Sequence, residues 1–210
     1  MAKHNDKDLI YSDSYRGYKI NNGNNSEYSC YKYSLDKIIN DIEDKSNRHN
    51  KVHITRIDVN PPQEIGEKEQ SKAMTRVCEA TLRELSRKHK NSSHDHDISI
   101  IRTSEIGYKE NNVHFHFAIT SNGNAIQNAY TYLETMTRHC ERILDTPMAG
   151  RVNNSSANNG IGIMINRNSP DFEQQMQDAV YVMSYLAKTN TKENLRKGTH
   201  KLSISRSSKK

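Results

Sequence analysis

The spacing of apolar residues along the chain predicts alternating helices and strands. Apolar positions recur every three or four residues, which is the helical pattern, at 35–46, 66–90, 124–144 and 171–189. Dense or alternating β-branched and aromatic residues, typical of strands, lie near 15–20 and at 51–59, 97–106, 111–120 and 161–166. The stretches rich in Asn and Ser are predicted to be loops, at 21–26 and 151–160.

This order of elements predicts an α+β fold. The strands at 97–106 and 111–120 are joined by a segment with the composition of a hairpin turn, so we expect neighbouring strands to be antiparallel. We expect one antiparallel sheet with helices packed on one face, which leaves the other face open for a ligand. The predicted domain spans 15–189, between an N-terminal extension at 1–14 and a C-terminal tail at 190–210.

Composition excludes a membrane protein. The 210 residues are 33% hydrophobic, and no run approaches the ~18 consecutive apolar residues of a membrane helix. The first ten residues lack the apolar stretch of a signal peptide, so we expect a soluble protein of the cytoplasm. Three widely separated cysteines without a CxxC pair are typical of reduced thiols with no structural zinc.

The net charge is concentrated at the C-terminal end. Between residues 189 and 210, seven lysines and arginines accompany one glutamate, so this segment carries the whole formal charge of +6. A concentrated basic tail is typical of contact with a phosphate backbone, and a solvated tail is the alternative.

Two histidines, His114 and His116, mark the strand at 111–120. The bulky apolar side chains of this strand share the opposite face: Val113, Phe115, Phe117 and Ile119. Both imidazoles therefore point away from the expected core, about 7 Å apart, and can converge on one ion. Glu105, across the predicted hairpin, is a candidate third donor. Such a set leaves positions open on Mg²⁺ or Mn²⁺ for phosphate oxygens, and a pair of surface histidines is the alternative.

A second His-x-His pair lies at His94 and His96 among Ser and Asp residues. No apolar alternation sets the direction of these side chains. We predict a solvated loop there.

The helix at 171–189 carries two tyrosines one turn apart. At ~100° per residue, its apolar residues fall on one side, and Tyr181, Tyr185 and Lys188 fall on the other. Exposed phenols beside a lysine, in a protein with a candidate metal site, indicate nucleophilic attack on phosphate, in which the lysine favours charge on the phenol oxygen. Solvent-exposed tyrosines or an interaction patch are the alternative.

These stretches resemble a known class of enzymes. "VHFHFAIT" is similar to the His-hydrophobic-His (HUH) motif of single-strand endonucleases that start rolling-circle replication, and "YVMSYLAKT" is similar to their two-tyrosine motif. "YRGYKI", "VHITRIDVNPP", "RTSE" and "SYLAKTNTKENLRKGTHKLSISR" resemble more narrowly the replication initiators of filamentous phages and their prophage relatives. The resemblance covers about residues 15–206.

The resemblance implies a five-stranded antiparallel sheet of the RRM-like HUH endonuclease kind, with the histidines on its central strand. It implies that His114, His116 and Glu105 hold Mg²⁺ or Mn²⁺. It also implies that Tyr181 or Tyr185 attacks a phosphate of single-stranded origin DNA, leaving a 5′-phosphotyrosine and a free 3′-OH, and that the other tyrosine serves later strand transfer. Lys188 matches the lysine that follows the tyrosines in this family. The sequence contains no helicase domain, so a host helicase and a polymerase in the bacterial cytoplasm are expected partners.

A non-catalytic nucleic-acid-binding module with an RRM-like sheet, such as a repressor, is the alternative from another class. An RRM places aromatic residues on its open face, whereas here Phe115 and Phe117 lie on the opposite face, which favours the enzyme. A conjugative relaxase or a single-strand transposase would use the same residues on other DNA. In the tail, four basic residues are predicted to bind DNA: Arg196, Lys197, Lys201 and Arg206.

Overall fold

The computed structural model describes residues 8–107, 112–192, 195 and 202–206. Two short strand pairs are formed by the N-terminal part of the chain. Strand β1 (Leu9–Ile10) pairs with β4 (Cys30–Tyr31), and β2 (Ser14–Tyr15) pairs with β3 (Tyr18–Lys19), all antiparallel. The segment near 15–20, expected to be one short strand, therefore contains the turn of a small hairpin and residues of both its arms.

All four predicted helices are confirmed within the described residues. They are α1 (Lys32–Arg48), α2 (Glu67–Lys88), α3 (Ala129–Leu144) and α4 (Phe172–Ser184). Helix α3 starts later than predicted because the Asn128 side chain accepts a hydrogen bond from the backbone N–H of Tyr130, which caps the helix there. Helix α4 ends earlier than predicted, and one 3₁₀ turn, Tyr185–Ala187, follows it.

The main sheet is antiparallel throughout, as predicted. Its strands are β5 (Lys51–Val59), β6 (Ser99–Ile106), β7 (Val113–Asn122), β8 (Val152–Asn154), β9 (Ile163–Asn166) and β10 (Leu202–Arg206). The order is β10-β6-β7-β5, and β8 and β9 pair end to end with the free side of β5. The α+β class and the antiparallel sheet are confirmed, and β7, which carries His114 and His116, lies between β6 and β5.

The prediction that helices cover only one face of the sheet is wrong. Helices α2 and α3 pack on the face that carries Phe115 and Phe117, whereas α1 and α4 pack on the face that carries Ala118 and Ile101. The reason is that α1 and α4 each have an apolar stripe that must be buried. The histidine face of the sheet is itself apolar at the end where those helices lie, so it provides that contact.

Residues 202–206, which the sequence analysis assigns to the basic tail, form the edge strand β10. Leu202 and Ile204 pack against the same apolar core as α1 and α4, and Ile204 pairs with Ile101 of β6. The alternation of apolar residues with serine in "LSIS" is a strand pattern. The prediction of a free tail followed the charge of the segment and did not use this pattern. The sheet thus has its edge where a free tail was expected.

The cysteines and the second histidine pair lie within the fold. Cys30, Cys78 and Cys140 are buried and free, and burial raises the pKa of each thiol. His94 is exposed as predicted, but His96 is buried and its Nε2 lies 2.9 Å from Oγ of Ser86 on α2. The prediction of a solvated loop is therefore wrong for His96, which is a packed residue.

Candidate functional site

The face of the sheet that packs on α1 and α4 changes from apolar to polar along its strands. Ala118 pairs with Ile101 in the apolar part, and two residues further along β7, His116 pairs with Thr103 of β6 and Asp58 of β5. Two residues beyond, His114 pairs with Glu105. Because side chains on one face recur every second residue, these polar groups all project from the same side. The prediction that both histidines lie on the face opposite Phe115 and Phe117 is confirmed, but that face is not open, and His116 is buried in it.

Side chains of β5 and of the residue that follows it hold both imidazole rings. Nδ1 of His116 lies 2.7 Å from Oδ1 of Asp58, and Nδ1 of His114 lies 2.6 Å from Oδ1 of Asn60. Carboxylate and amide oxygens only accept hydrogen bonds, so both Nδ1 atoms donate. Nε2 of each ring is then the atom available for another partner.

Glu105 is buried in the middle of this polar region. Its Oε2 lies 3.4 Å from Nε2 of His116 and 3.0 Å from Nζ of Lys188, and it accepts a hydrogen bond of 2.9 Å from Oγ1 of Thr191. Burial alone would raise the pKa of Glu105, but the hydrogen bond and charge of His116 and the charges of Lys192 and Lys188 lower it to about 2. The carboxylate is therefore ionised at neutral pH.

His116 is flanked by two carboxylates. Burial opposes its protonation, but the hydrogen bonds and negative charges of Asp58 and Glu105 outweigh burial and raise its pKa. The pKa of Asp58 is held well below its usual range, against burial, by His116, by Arg56 and by a hydrogen bond from Ser155. The contacts favour an imidazolium between Asp58 and Glu105.

Tyr185 and Lys188 join this site through the 3₁₀ turn after α4. The Tyr185 ring meets His116 edge to face, with ring centroids 5.7 Å apart. Nζ of Lys188 donates a hydrogen bond of 2.5 Å to the Tyr185 hydroxyl and lies 3.9 Å from the ring centroid. The tighter turn ends the α-helical spacing at Ser184, so the expectation that Tyr185 and Lys188 face solvent is wrong. Tyr185 is half-buried, and Lys188 is 7% exposed.

Arg56 completes a closed circuit of contacts. Its guanidinium carbon lies 4.3 Å from the Tyr185 ring centroid, and its Nε and Nη2 donate to Asp58 at 3.2 and 3.1 Å. The circuit, called here the Tyr185 cluster, consists of Arg56, Asp58, His116, Glu105, Lys188 and Tyr185. Each member contacts the next, so the tyrosine hydroxyl and the histidine are held in one network.

Tyr181 lies one helical turn before Tyr185 and outside the cluster. It is 38% exposed, in agreement with its predicted place on the polar side of the helix. Nζ of Lys19 lies 5.7 Å from its ring centroid, and the ring borders an open groove that also includes the exposed Ile161. The structure thus separates the two tyrosines into a half-buried one with polar partners and an accessible one.

Of the four predicted DNA-binding residues, Arg196, Lys197 and Lys201 lie outside the described residues. Arg206 ends β10, where Nη2 lies 3.3 Å from Oδ1 of the buried Asp41, while 55% of its side chain is exposed. Arg206 therefore contacts α1 and still presents part of its guanidinium to solvent.

The donor chemistry of the site fits a divalent ion. Oε1 of Glu105 is buried and has no hydrogen-bond partner among the described residues. Imidazoles whose Nδ1 donates to an oxygen and whose Nε2 is left for a metal are the usual arrangement in metal sites. In the part of the chain that the structure describes, however, no three His, Cys, Asp or Glu side chains are gathered around one point, and Lys188 contacts Glu105 instead. The chemistry of His114, His116 and Glu105 thus fits a metal, but an ion bound there would replace the Nε2 proton of His116 and the contact of Lys188 with Glu105.

Sequence reasoning missed the residues of β5 that support the histidines. Arg56, Asp58 and Asn60 alternate with Ile57 and Val59 in "RIDVN", which is a strand with one polar face. That alternation was available as a signal. The alternation alone does not predict that β5 pairs with β7, and it is this pairing that places Asp58 opposite His116.

The fold and the site together define an α+β protein whose antiparallel sheet carries a buried cluster of charged side chains beside a tyrosine. The family model of the YagK/YfjJ C-terminal domain matches residues 11–200, and the chain belongs to this prophage-associated family. Comparison with curated proteins and with solved structures gives no significant match. Among the described residues, no helix is both long enough and apolar enough to cross a membrane.

Proposed function

We propose that the protein is a metal-dependent endonuclease of single-stranded DNA of the HUH type. It would nick an origin to start rolling-circle replication and rejoin the strands afterwards, with a host helicase and a polymerase as partners. The observation that carries this proposal is the Tyr185 cluster, in which a tyrosine hydroxyl, a lysine and a histidine between two carboxylates are in contact. An RRM-like arrangement of the sheet is part of the same proposal.

Tyr185 is the first nucleophile in this proposal. Its oxygen bonds to phosphorus, the bond from phosphorus to the 3′ oxygen breaks, and the 3′ oxygen takes up the proton that the phenol gives up. The DNA keeps a free 3′-OH, and its 5′ phosphate stays on the tyrosine. The Lys188 ammonium, 2.5 Å from the hydroxyl, stabilises negative charge on the attacking oxygen.

His114, His116 and Glu105 would hold Mg²⁺ or Mn²⁺, which polarises a phosphoryl oxygen when bound. The residues of the chain prepare this site without the ion. Asp58 and Asn60 fix the two rings through Nδ1, so that Nε2 of each ring is directed away from β5. The buried carboxylate of Glu105 is already ionised at neutral pH because its pKa is about 2.

Tyr181 serves the second transfer, in which the strands are rejoined. It lies on α4, one turn before Tyr185, is accessible, and has no part in the cluster, so a second DNA end can reach it. The predicted basic residues Arg196, Lys197, Lys201 and Arg206 would hold the phosphate backbone by charge.

The competing hypothesis is a nucleic-acid-binding module without catalysis. Buried charges are costly unless they are paired, and replacing them by packed apolar residues is often neutral or stabilising. A module that only binds has no use for a network of five charged or polar side chains beside one half-buried phenol. The Tyr185 cluster therefore favours the enzyme.

The test is covalent capture of DNA. Single-stranded oligonucleotides that tile both strands around the gene are incubated with the protein and Mn²⁺ or Mg²⁺, and a denaturing gel shows any protein–DNA adduct. We expect an adduct that EDTA abolishes. Tyr185→Phe should eliminate it, whereas Tyr181→Phe and the control Tyr130→Phe, an exposed tyrosine on α3, should retain it.

Three results would count against the proposal. An adduct in Tyr185→Phe refutes Tyr185 as the first nucleophile, and an adduct in the double variant with Tyr181→Phe refutes both tyrosines. Binding of the oligonucleotides without an adduct under any metal condition supports the non-catalytic module.

A further inference from the structure

We infer that Arg56 forms a phosphate-binding site beside Tyr185 and holds the phosphate that this tyrosine attacks. The inference rests on the proposed function and deepens it, because it names the residue that receives the substrate phosphate. It involves a side chain that neither the histidine motif nor the tyrosine motif contains.

The guanidinium of Arg56 is fixed on three sides but retains one donor group. Nε and Nη2 both donate to Asp58, and the guanidinium carbon lies 4.3 Å from the centre of the Tyr185 ring. Nη1 makes no hydrogen bond to any residue that the structure describes. A donor held this rigidly loses little freedom when a ligand binds to it.

The position of this donor suits a phosphate. An oxygen of Tyr185 that attacks phosphorus must come within bonding distance of it, so the phosphoryl oxygens lie around the phenol. A guanidinium stacked on that ring is within reach of them, and arginine is the side chain whose geometry best matches phosphate oxygens. The Arg56 side chain is 17% exposed, which leaves it open to a ligand.

The charges around the phenol also favour an anion. Arg56, Lys188 and Lys192 bring three positive charges, while Asp58 and Glu105 bring two negative ones. The surplus is positive in a mostly buried region, where the field of a charge is weakly screened.

Asp58 has hydrogen-bond partners besides Arg56. Oδ1 of Asp58 already accepts from His116 at 2.7 Å, and Oδ2 accepts from Ser155 at 2.7 Å. Asp58 thus orients Arg56 and His116 together, and both side chains contact the Tyr185 ring.

The test uses inorganic phosphate and the full chain without metal, so it does not depend on knowing the origin. Phosphate is titrated while NMR follows the Nε–H signal of Arg56 and the ring signals of Tyr185. We expect saturable shifts of both in the wild-type protein. Arg56→Gln should weaken phosphate binding, followed on Tyr185, by about tenfold to a hundredfold, as expected for the loss of a charge-assisted hydrogen bond.

Two further variants make the outcome specific. Arg56→Lys keeps the charge and loses the planar fork, so it should bind phosphate more weakly than wild type and more tightly than Arg56→Gln. This variant also keeps the test valid if Arg56→Gln folds poorly. Arg138→Gln, on α3 at the other face of the sheet, should bind as wild type does.

The inference is overturned if wild-type protein shows no saturable shift, or if Arg56→Gln and Arg56→Lys bind phosphate as wild type does. Failure of the proposed function gives a different pattern. In that case phosphate binding depends on Arg56, but no covalent adduct forms with any oligonucleotide.

Discussion

Replacing Glu105 by glutamine tests whether the Tyr185 cluster is electrostatically coupled as its geometry indicates. Glutamine keeps the shape of the side chain and removes its charge. The three cations near the carboxylate then lose their common partner: His116 at 3.4 Å, Lys188 at 3.0 Å and Lys192 at 4.0 Å. We expect the variant to be less stable at neutral pH.

The size of the effect follows from the pKa of Glu105. It falls from its ordinary value of 4.5 to about 2 in the folded protein, and each unit corresponds to ~1.4 kcal/mol. A carboxyl group with a lowered folded-state pKa contributes stability above its unfolded pKa, and that stability is lost as pH falls toward the folded value. The contribution is about 3 kcal/mol at pH 7 and about 1.4 kcal/mol at pH 3. Because only 6% of the side chain is exposed, solvent screening takes little from this value.

The assay is urea unfolding of both proteins at pH 7 and at pH 3. The free energy of unfolding of Glu105→Gln should lie about 3 kcal/mol below wild type at pH 7, and the gap should shrink by about half at pH 3. Glu173→Gln, which replaces an exposed glutamate on α4, is the matched control and should stay within ~0.5 kcal/mol of wild type at both values.

Two outcomes would refute this reasoning. A gap below about 1 kcal/mol at pH 7 would show that Lys188 and His116 do not depend on the carboxylate, contrary to the distances in the cluster. A gap of equal size at both pH values would show that Glu105 acts through its shape and hydrogen bond to Thr191, not through its charge.

Three more predictions concern neighbouring residues. Asp58→Asn should lower the pKa of His116, because Asp58 raises it; an NMR titration of the imidazole measures this, and an unchanged midpoint contradicts the assignment. His114→Ala should lose adduct formation and largely retain binding of single-stranded DNA, measured by gel and by anisotropy, and unchanged cleavage would remove His114 from the metal site. A chain ending at residue 201 lacks β10 and leaves the edge of β6 unpaired. It should unfold at a lower urea concentration than the full chain and self-associate in sedimentation experiments. A monomer as stable as the full chain would show that β10 does not stabilise the sheet.

Local patterns in the sequence predict the elements of this fold well. The β-branched residues of "KVHITRIDV" predict β5 at its observed bounds, and the alternation around Phe115 and Phe117 predicts the face on which both histidines lie. The placement of Glu105 across the hairpin follows from the short connection between β6 and β7, and the structure pairs it with His114. Each of these features depends on residues close together in the chain.

Features that depend on distant contacts could not be predicted in the same way. The helical spacing of Leu35 and Ile38 shows that α1 has an apolar side but not which sheet face covers it, and the structure places it on the histidine face. The pairing of β5 with β7 brings Asp58 to His116 over a separation of 58 residues. The 3₁₀ turn at Tyr185–Ala187 brings Tyr185 into contact with Arg56 and Lys188, and a helical wheel cannot predict these contacts.

The sheet face that carries the histidines has an apolar part and a polar part, and burial of the apolar part offsets the cost of the buried charged cluster. Its apolar part, with Ala118 and Ile101, packs on α1 and α4 and contributes stability through burial. Because α4 ends at Ser184, the following 3₁₀ turn places Tyr185 and Lys188 beside the polar part of the face, where the apolar packing of α4 ends. A sequence selected for stability alone would continue the apolar face to the end of β7, since packed apolar residues are seldom worse than buried ion pairs. Charged residues occupy this part of the face instead, and Arg56, His116 and Lys188 all contact the Tyr185 side chain, which is the physical ground for proposing Tyr185 as the nucleophile.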